Sequence, residues 1–168
     1  MSDESIRLDE LDIKILDFLH RDARMSLRKI SERLGVSVAT VHYRLEKLRK
    51  SGLIKGFSVL IDEKKLGFPI TAAILARGRT GKDALKSLEE SISTHPHVYA
   101  VYDITGDWDV LILGKFRNIK ELDNFVKSLL ADPRIERTST SIVLNVVKEH
   151  LALAPSLMDL VREEKSEK

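Results

Sequence analysis

Cysteine is absent from all 168 residues. The chain therefore has no disulfide, no thiolate nucleophile and no cysteine-ligated metal, which suits a reducing compartment. No apolar run approaches the roughly 18 residues that a helix needs to cross a bilayer. The opening stretch, MSDESIRLDELD, is polar and acidic, unlike a secretory signal. A cytoplasmic location is the expectation. Also missing are a glycine-rich phosphate loop, a Ser/His/Asp order, a paired carboxylate set, internal repeats and low-complexity tracts. Neither an enzyme nor a cofactor is expected from that inventory. His95-Pro96-His97 has a spacing that suits a metal, but no third ligand lies nearby, so no metal is expected.

Charge of one sign is scarce overall, at a net +2, yet it is concentrated. Between residues 21 and 57 ten Lys or Arg stand against three acids. The same stretch includes SLRKISERLGVSVATVHYRLEKLRKSG, residues 26–52. Leu27, Ile30 and Leu34 fall at helical spacing, Gly35 permits a sharp turn, and Ser37 caps a new start. Val38, Val41, Leu45 and Leu48 then form the next apolar stripe. Two short helices joined in this way make a helix-turn-helix, whose second helix enters the DNA major groove. The stripe directs Ala39, Thr40, His42, Tyr43, Arg44 and Lys47 outward. Arg44 is the candidate for bidentate recognition of guanine, or failing that for a phosphate clamp. Ser37, at the helix start, suits a phosphate. Arg28, Lys29, Arg49, Lys50 and Lys55 suit phosphate contacts without sequence preference. Double-stranded DNA is the expected partner.

A first helix is expected over residues 8–21, from Leu8, Leu11, Ile15, Leu16 and Leu19 on one face. After Gly52, residues 53–62 read as an extended strand or hairpin, giving a winged helix-turn-helix over 1–62 with a linker at 63–67. The second half alternates differently. Strand, helix, strand, strand, helix and strand are expected over 68–77, 82–93, 98–105, 110–116, 118–131 and 135–147. That order is the split βαβ, or ferredoxin-like, arrangement, and the domain is taken as 68–150 with a tail at 151–168. The fold class is therefore α+β: an N-terminal winged helix-turn-helix plus a C-terminal ferredoxin-like βαββαβ domain.

Leu8-Asp9, Asp12, Ile15-Leu16, Asp22-Ala23-Arg24, Leu34-Gly35-Val36-Ser37, Val41, Arg44-Leu45, Leu48 and Gly52-Leu53-Ile54 run in a specific order, and Thr105-Gly106-Asp107-Trp108-Asp109-Val110 follows in the second half. With both parts at this spacing, residues 8–147 resemble the Lrp/AsnC family of transcription regulators. Arg49 departs from the resemblance, standing where many members carry an acid. The resemblance implies a homodimer that assembles further toward an octamer, and an amino-acid effector bound at the junction between dimers. It implies an effector site formed by Gly106, Asp107, Trp108 and Asp109, with Asp109 pairing the ligand's ammonium and hydroxyls from Thr138, Ser139 and Thr140. The residues of the turn are equally those of a plain hairpin connection. Two alternatives share the layout: a sirohaem decarboxylase-like enzyme, against which the basic reading head argues, and a regulator that works without an effector.

Overall fold

The computed structural model describes residues 7–79 and 82–149, which cluster in two compact units, 7–59 with 148–149 and 60–147. The expected tail at 151–168 lies outside the described residues. In the first unit, helices α1 (Glu10–Arg21), α2 (Leu27–Leu34) and α3 (Val38–Lys50) follow one another closely. Helix α1 begins two residues into the expected span because Asp9 and Asp12 form a capping box. Each backbone N–H bonds the other's carboxylate, at 2.9 and 3.2 Å. Helix α2 is capped by Ser26 and ends at Gly35, whose φ of 67° is the left-handed conformation that glycine adopts without strain. Ile15, Leu19, Ile30 and Val41 form the core between the three helices, walled by Leu11, Phe18, Leu27, Leu34 and Leu45. The packed faces follow the expected apolar stripes except at Val38, which stays 44% exposed in the first turn of α3.

Residues 53–62 carry no strand. A strand is a paired object, and among the described residues nothing pairs with this run. Phe57, Val59, Leu60 and Ile61 stay exposed along it. The 63–67 segment, expected as a linker, is a hydrogen-bonded turn: Phe68 N–H bonds the Glu63 carbonyl at 2.9 Å, and the Glu63 carboxylate pairs with Lys115 at 3.0 Å.

The second unit contains β1 (Ile70–Gly78), α4 (Lys82–Ser93), β2 (Val98–Asp103), β3 (Val110–Phe116), α5 (Ile119–Ala131) and β4 (Ile135–Ile142). The sheet is antiparallel in the order β2-β3-β1-β4, the ferredoxin-like arrangement. Ala72, Ile74, Ala76, Val110, Ile112 and Phe116 face the helices and pack on Leu88, Ile92, Leu122, Phe125 and Leu129. β4 stops at Ile142 rather than continuing to residue 147 because β1, its neighbour in the sheet, begins at Ile70; Val143 makes the last bond, to Thr71. Ala73, Leu75, Leu111 and Leu113 occupy the other sheet face, which no helix among the described residues covers. His95 and His97 belong to the packing. Their rings lie on Phe125 and Phe116, and His97 Nδ1 meets the Lys115 carbonyl at 3.0 Å.

One carboxylate in this unit is poorly placed. Glu89 Oε1 is buried without a hydrogen-bond partner, and burial, with Asp103 and Glu90 adding to it, holds the group above its ordinary pKa. A carboxyl raised on folding binds its proton more readily in the native state. Its contribution to stability is therefore present below the unfolded pKa and is lost as pH rises through the folded one. Glu89→Gln is expected to flatten that dependence and raise the thermal midpoint at neutral pH by roughly 2 °C. Calorimetry across pH checks this, and a lowered midpoint would mean that the ionised carboxylate has a stabilising partner.

Candidate DNA-binding face and effector turn

Ser37 sets the start of α3. Its Oγ accepts the Thr40 N–H at 3.0 Å and lies 2.8 Å from Thr40 Oγ1, so both hydroxyls of the first turn are engaged locally. Val41 and Leu48 are fully buried. The opposite side exposes Ala39, His42, Tyr43, Lys47 and Lys50, with Tyr43 left 68% exposed. Lys29 on α2 is also exposed, and Arg28 is paired with Glu32 at 3.1 Å across one helical turn. Arg49 is held by Glu46 at 2.8 Å. The result is an aromatic-and-lysine surface on the second helix of the motif, the kind of face that reads a groove and neutralises phosphates.

Arg44 is placed differently from the base-reading role expected of it. Its Nη1 donates to Asp9 and lies 3.3 Å from Asp12 Oδ1, and the Asp12 side chain is only 1% exposed. The guanidinium thus ties α3 to the capping box of α1. Partial burial would raise the Asp9 carboxyl, but the Asp12 N–H and the Arg44 guanidinium outweigh it and hold the group below its ordinary range. A signal for this was available. Arg44 lies three residues after Val41 and four before Leu48, on the shoulder of the buried stripe, and a cation there needs a buried acid.

Residues 104–109 join β2 to β3. Gly106 adopts a φ of 115°, a conformation that favours glycine. Ile104 N–H bonds the Asp109 carbonyl at 2.8 Å, which ends β2 at Asp103, two residues short of the expected end. Asp109 also fastens the turn to the end of β1: its N–H bonds the Ala76 carbonyl at 3.1 Å, and its Oδ2 accepts the Gly78 N–H at 2.8 Å. Asp107 supplies its carbonyl to Arg77 at 2.8 Å, and Arg137 lies over the Trp108 ring at 4.7 Å. One Asp109 oxygen is therefore already used within the fold. The three β4 hydroxyls do not share one face of the sheet. Thr138 and Thr140 stand opposite Ala76 and Ile74, and so share their face, whereas Ser139 stands opposite Leu75 on the uncovered face. Arg77 and Arg137, which sequence reasoning left out, border the turn instead.

Comparison with known proteins agrees with both halves of this description. A family model described as winged helix-turn-helix DNA-binding matches residues 8–55, and one described as Lrp/AsnC ligand binding domain matches residues 71–153. An uncharacterised HTH-type transcriptional regulator of Pyrococcus furiosus is 39% identical over 150 residues, covering 89% of this chain and all of that protein. The HTH-type transcriptional regulator FL11 of Pyrococcus horikoshii is 38% identical over 144 residues, 86% of this chain and 94% of its own length. Among solved structures, a transcriptional regulator from Neisseria meningitidis in complex with L-Met superposes with a TM-score of 0.83 at 27% identity, covering 90% of this chain and 99% of that one.

Proposed function

The chain belongs to the Lrp/AsnC family of helix-turn-helix DNA-binding transcription regulators, and on that premise we propose a homo-oligomer that reads double-stranded DNA through α3 and couples a small-molecule effector at the 106–109 turn to its assembly. The observation that carries the DNA half is the exposed Ala39, His42, Tyr43, Lys47 and Lys50 face on a helix fixed by Ser37 and Arg44. Within it, Tyr43 and His42 touch base edges or thymine methyls, and Lys47, Lys50 and Lys29 hold phosphates.

Two features support self-association. One is the uncovered apolar sheet face around Leu75, Leu111 and Leu113. The other is the run through Phe57, Val59, Leu60 and Ile61, too apolar to be left in water alone. A twofold dimer would present two copies of α3 to two half-sites about one helical turn apart. For the effector, the support is a turn with a permissive glycine, a half-committed carboxylate at Asp109 and the family resemblance in the same residues. The Neisseria relative was solved with L-Met, an amino acid.

Repeated selection of bound duplexes from a random pool tests the reading. Recovery of an inverted repeat with that spacing is expected. A pool that keeps its random composition after several rounds would rule out sequence-specific binding.

A further inference from the structure

Arg77 and Arg137 are direct cross-strand partners in the β1–β4 ladder. Alternation puts both on the sheet face opposite the buried Ala76. Directly opposed side chains in an antiparallel pair have Cβ atoms about 5 Å apart, and like charges there destabilise the pair. Counter-charge is needed, and the described residues supply little. Arg77 Nε is 3.8 Å from a Glu136 carboxylate that is itself 53% exposed, and its Nη1 is spent on the neutral Asp107 carbonyl. Arg137 has the face of Trp108 and, among the described residues, no ion pair. Asp109, on the same turn, directs one oxygen to the Gly78 N–H. Two guanidiniums and an indole therefore border the turn, with their charge incompletely answered.

We infer that the effector of this turn is an acidic molecule, a dicarboxylic amino acid or 2-oxo diacid, whose second carboxylate is taken by Arg77 and Arg137 beside Trp108. The inference rests on the reading of the 106–109 turn as an effector site and specifies its ligand. A carboxylate matches the planar fork of a guanidinium with two parallel hydrogen bonds and removes the repulsion between the opposed arginines. A neutral aliphatic effector does neither. If assembly covers the turn, such a ligand would leave two arginines desolvated without compensation, which is strongly unfavourable.

Titration calorimetry on the full chain tests this, with L-glutamate, L-aspartate and 2-oxoglutarate as probes and L-glutamine, L-asparagine, L-leucine and L-methionine as neutral counterparts. A diacid is expected to bind at least tenfold more tightly than its amide. Arg137→Gln should bring the diacid down to the level of the amide without lowering the melting temperature, since it also removes the repulsion with Arg77, and Arg137→Lys, which keeps the charge, should retain part of the preference. Equal or tighter binding of a neutral amino acid overturns the acidic assignment and leaves the effector site standing. A diacid preference that persists in Arg137→Gln overturns it as well. No binding by any amino acid or oxo acid removes both this inference and the effector reading. A shallower salt dependence of duplex binding in Arg137→Gln would make the arginine a phosphate contact, and the inference would fall.

Discussion

Replacing Arg44 with alanine is expected to lower the stability of the three-helix unit by about 2–4 kcal/mol, because it strips a buried carboxylate of its counter-charge. Asp12 is that carboxylate; the half-exposed Asp9 is water-screened and adds little. DNA affinity should then fall alike on every sequence, since the helix is loosened rather than re-targeted. Arg44→Lys should recover part of the loss, as a point charge lacking the guanidinium fork. The clamp also sets an acid limit. Asp9 has a depressed folded pKa, so its contribution is present above the unfolded value and is lost as pH falls through the folded one. Melting curves of the three proteins, read beside their affinities for several duplexes, decide the matter. An Arg44→Ala protein of unchanged stability that has lost discrimination at one base pair would restore the base-reading role.

A single charge on the uncovered sheet face should have an effect of similar size on assembly. Leu113 sits in the middle of that face, between Ala73 on β1 and Ala100 on β2. Leu113→Glu would bury a carboxylate against apolar surface, which is costly without a partner. The dissociation constant of the proposed dimer should rise about a hundredfold or more, on the scale of about 1.4 kcal/mol per tenfold. Light scattering at micromolar concentration should then find a mass near the 19.0 kDa of one chain. An unchanged oligomer would move the interface to another surface, with the apolar 57–61 run the next to examine.

Most of the element order could be read from the sequence because it depends on local periodicity and punctuation. The stripes Leu27–Ile30–Leu34 and Val41–Leu45–Leu48 are the packed faces, and Gly35 turns the chain where its neighbours suggested. What escaped depends on neighbours distant in sequence. The partners of Arg44 lie 32 and 35 residues away, so helical spacing marked its position but not its carboxylates. Residues 53–62 alternate like a strand, but a ladder needs a second strand. β4 fell short for the same reason, having no β1 left to pair with. At the 104–109 turn the glycine and the acids were legible, and strict alternation would already have set Ser139 apart from Thr138 and Thr140. The opposed Arg77 and Arg137 required the register of two strands about 60 residues apart, which no local pattern encodes.

Salt titration of duplex binding tests the central claim, that the basic face of α3 meets DNA phosphates. For a dimer neutralising six to ten phosphates, affinity should fall by about 10³ to 10⁵ between 50 and 200 mM salt. Lys47→Ala and Lys50→Ala should each make the logarithmic slope shallower by about one for every phosphate that the lysine neutralises. A purified wild-type protein that binds no duplex at low salt, or one whose binding ignores salt and both lysines, would contradict the account.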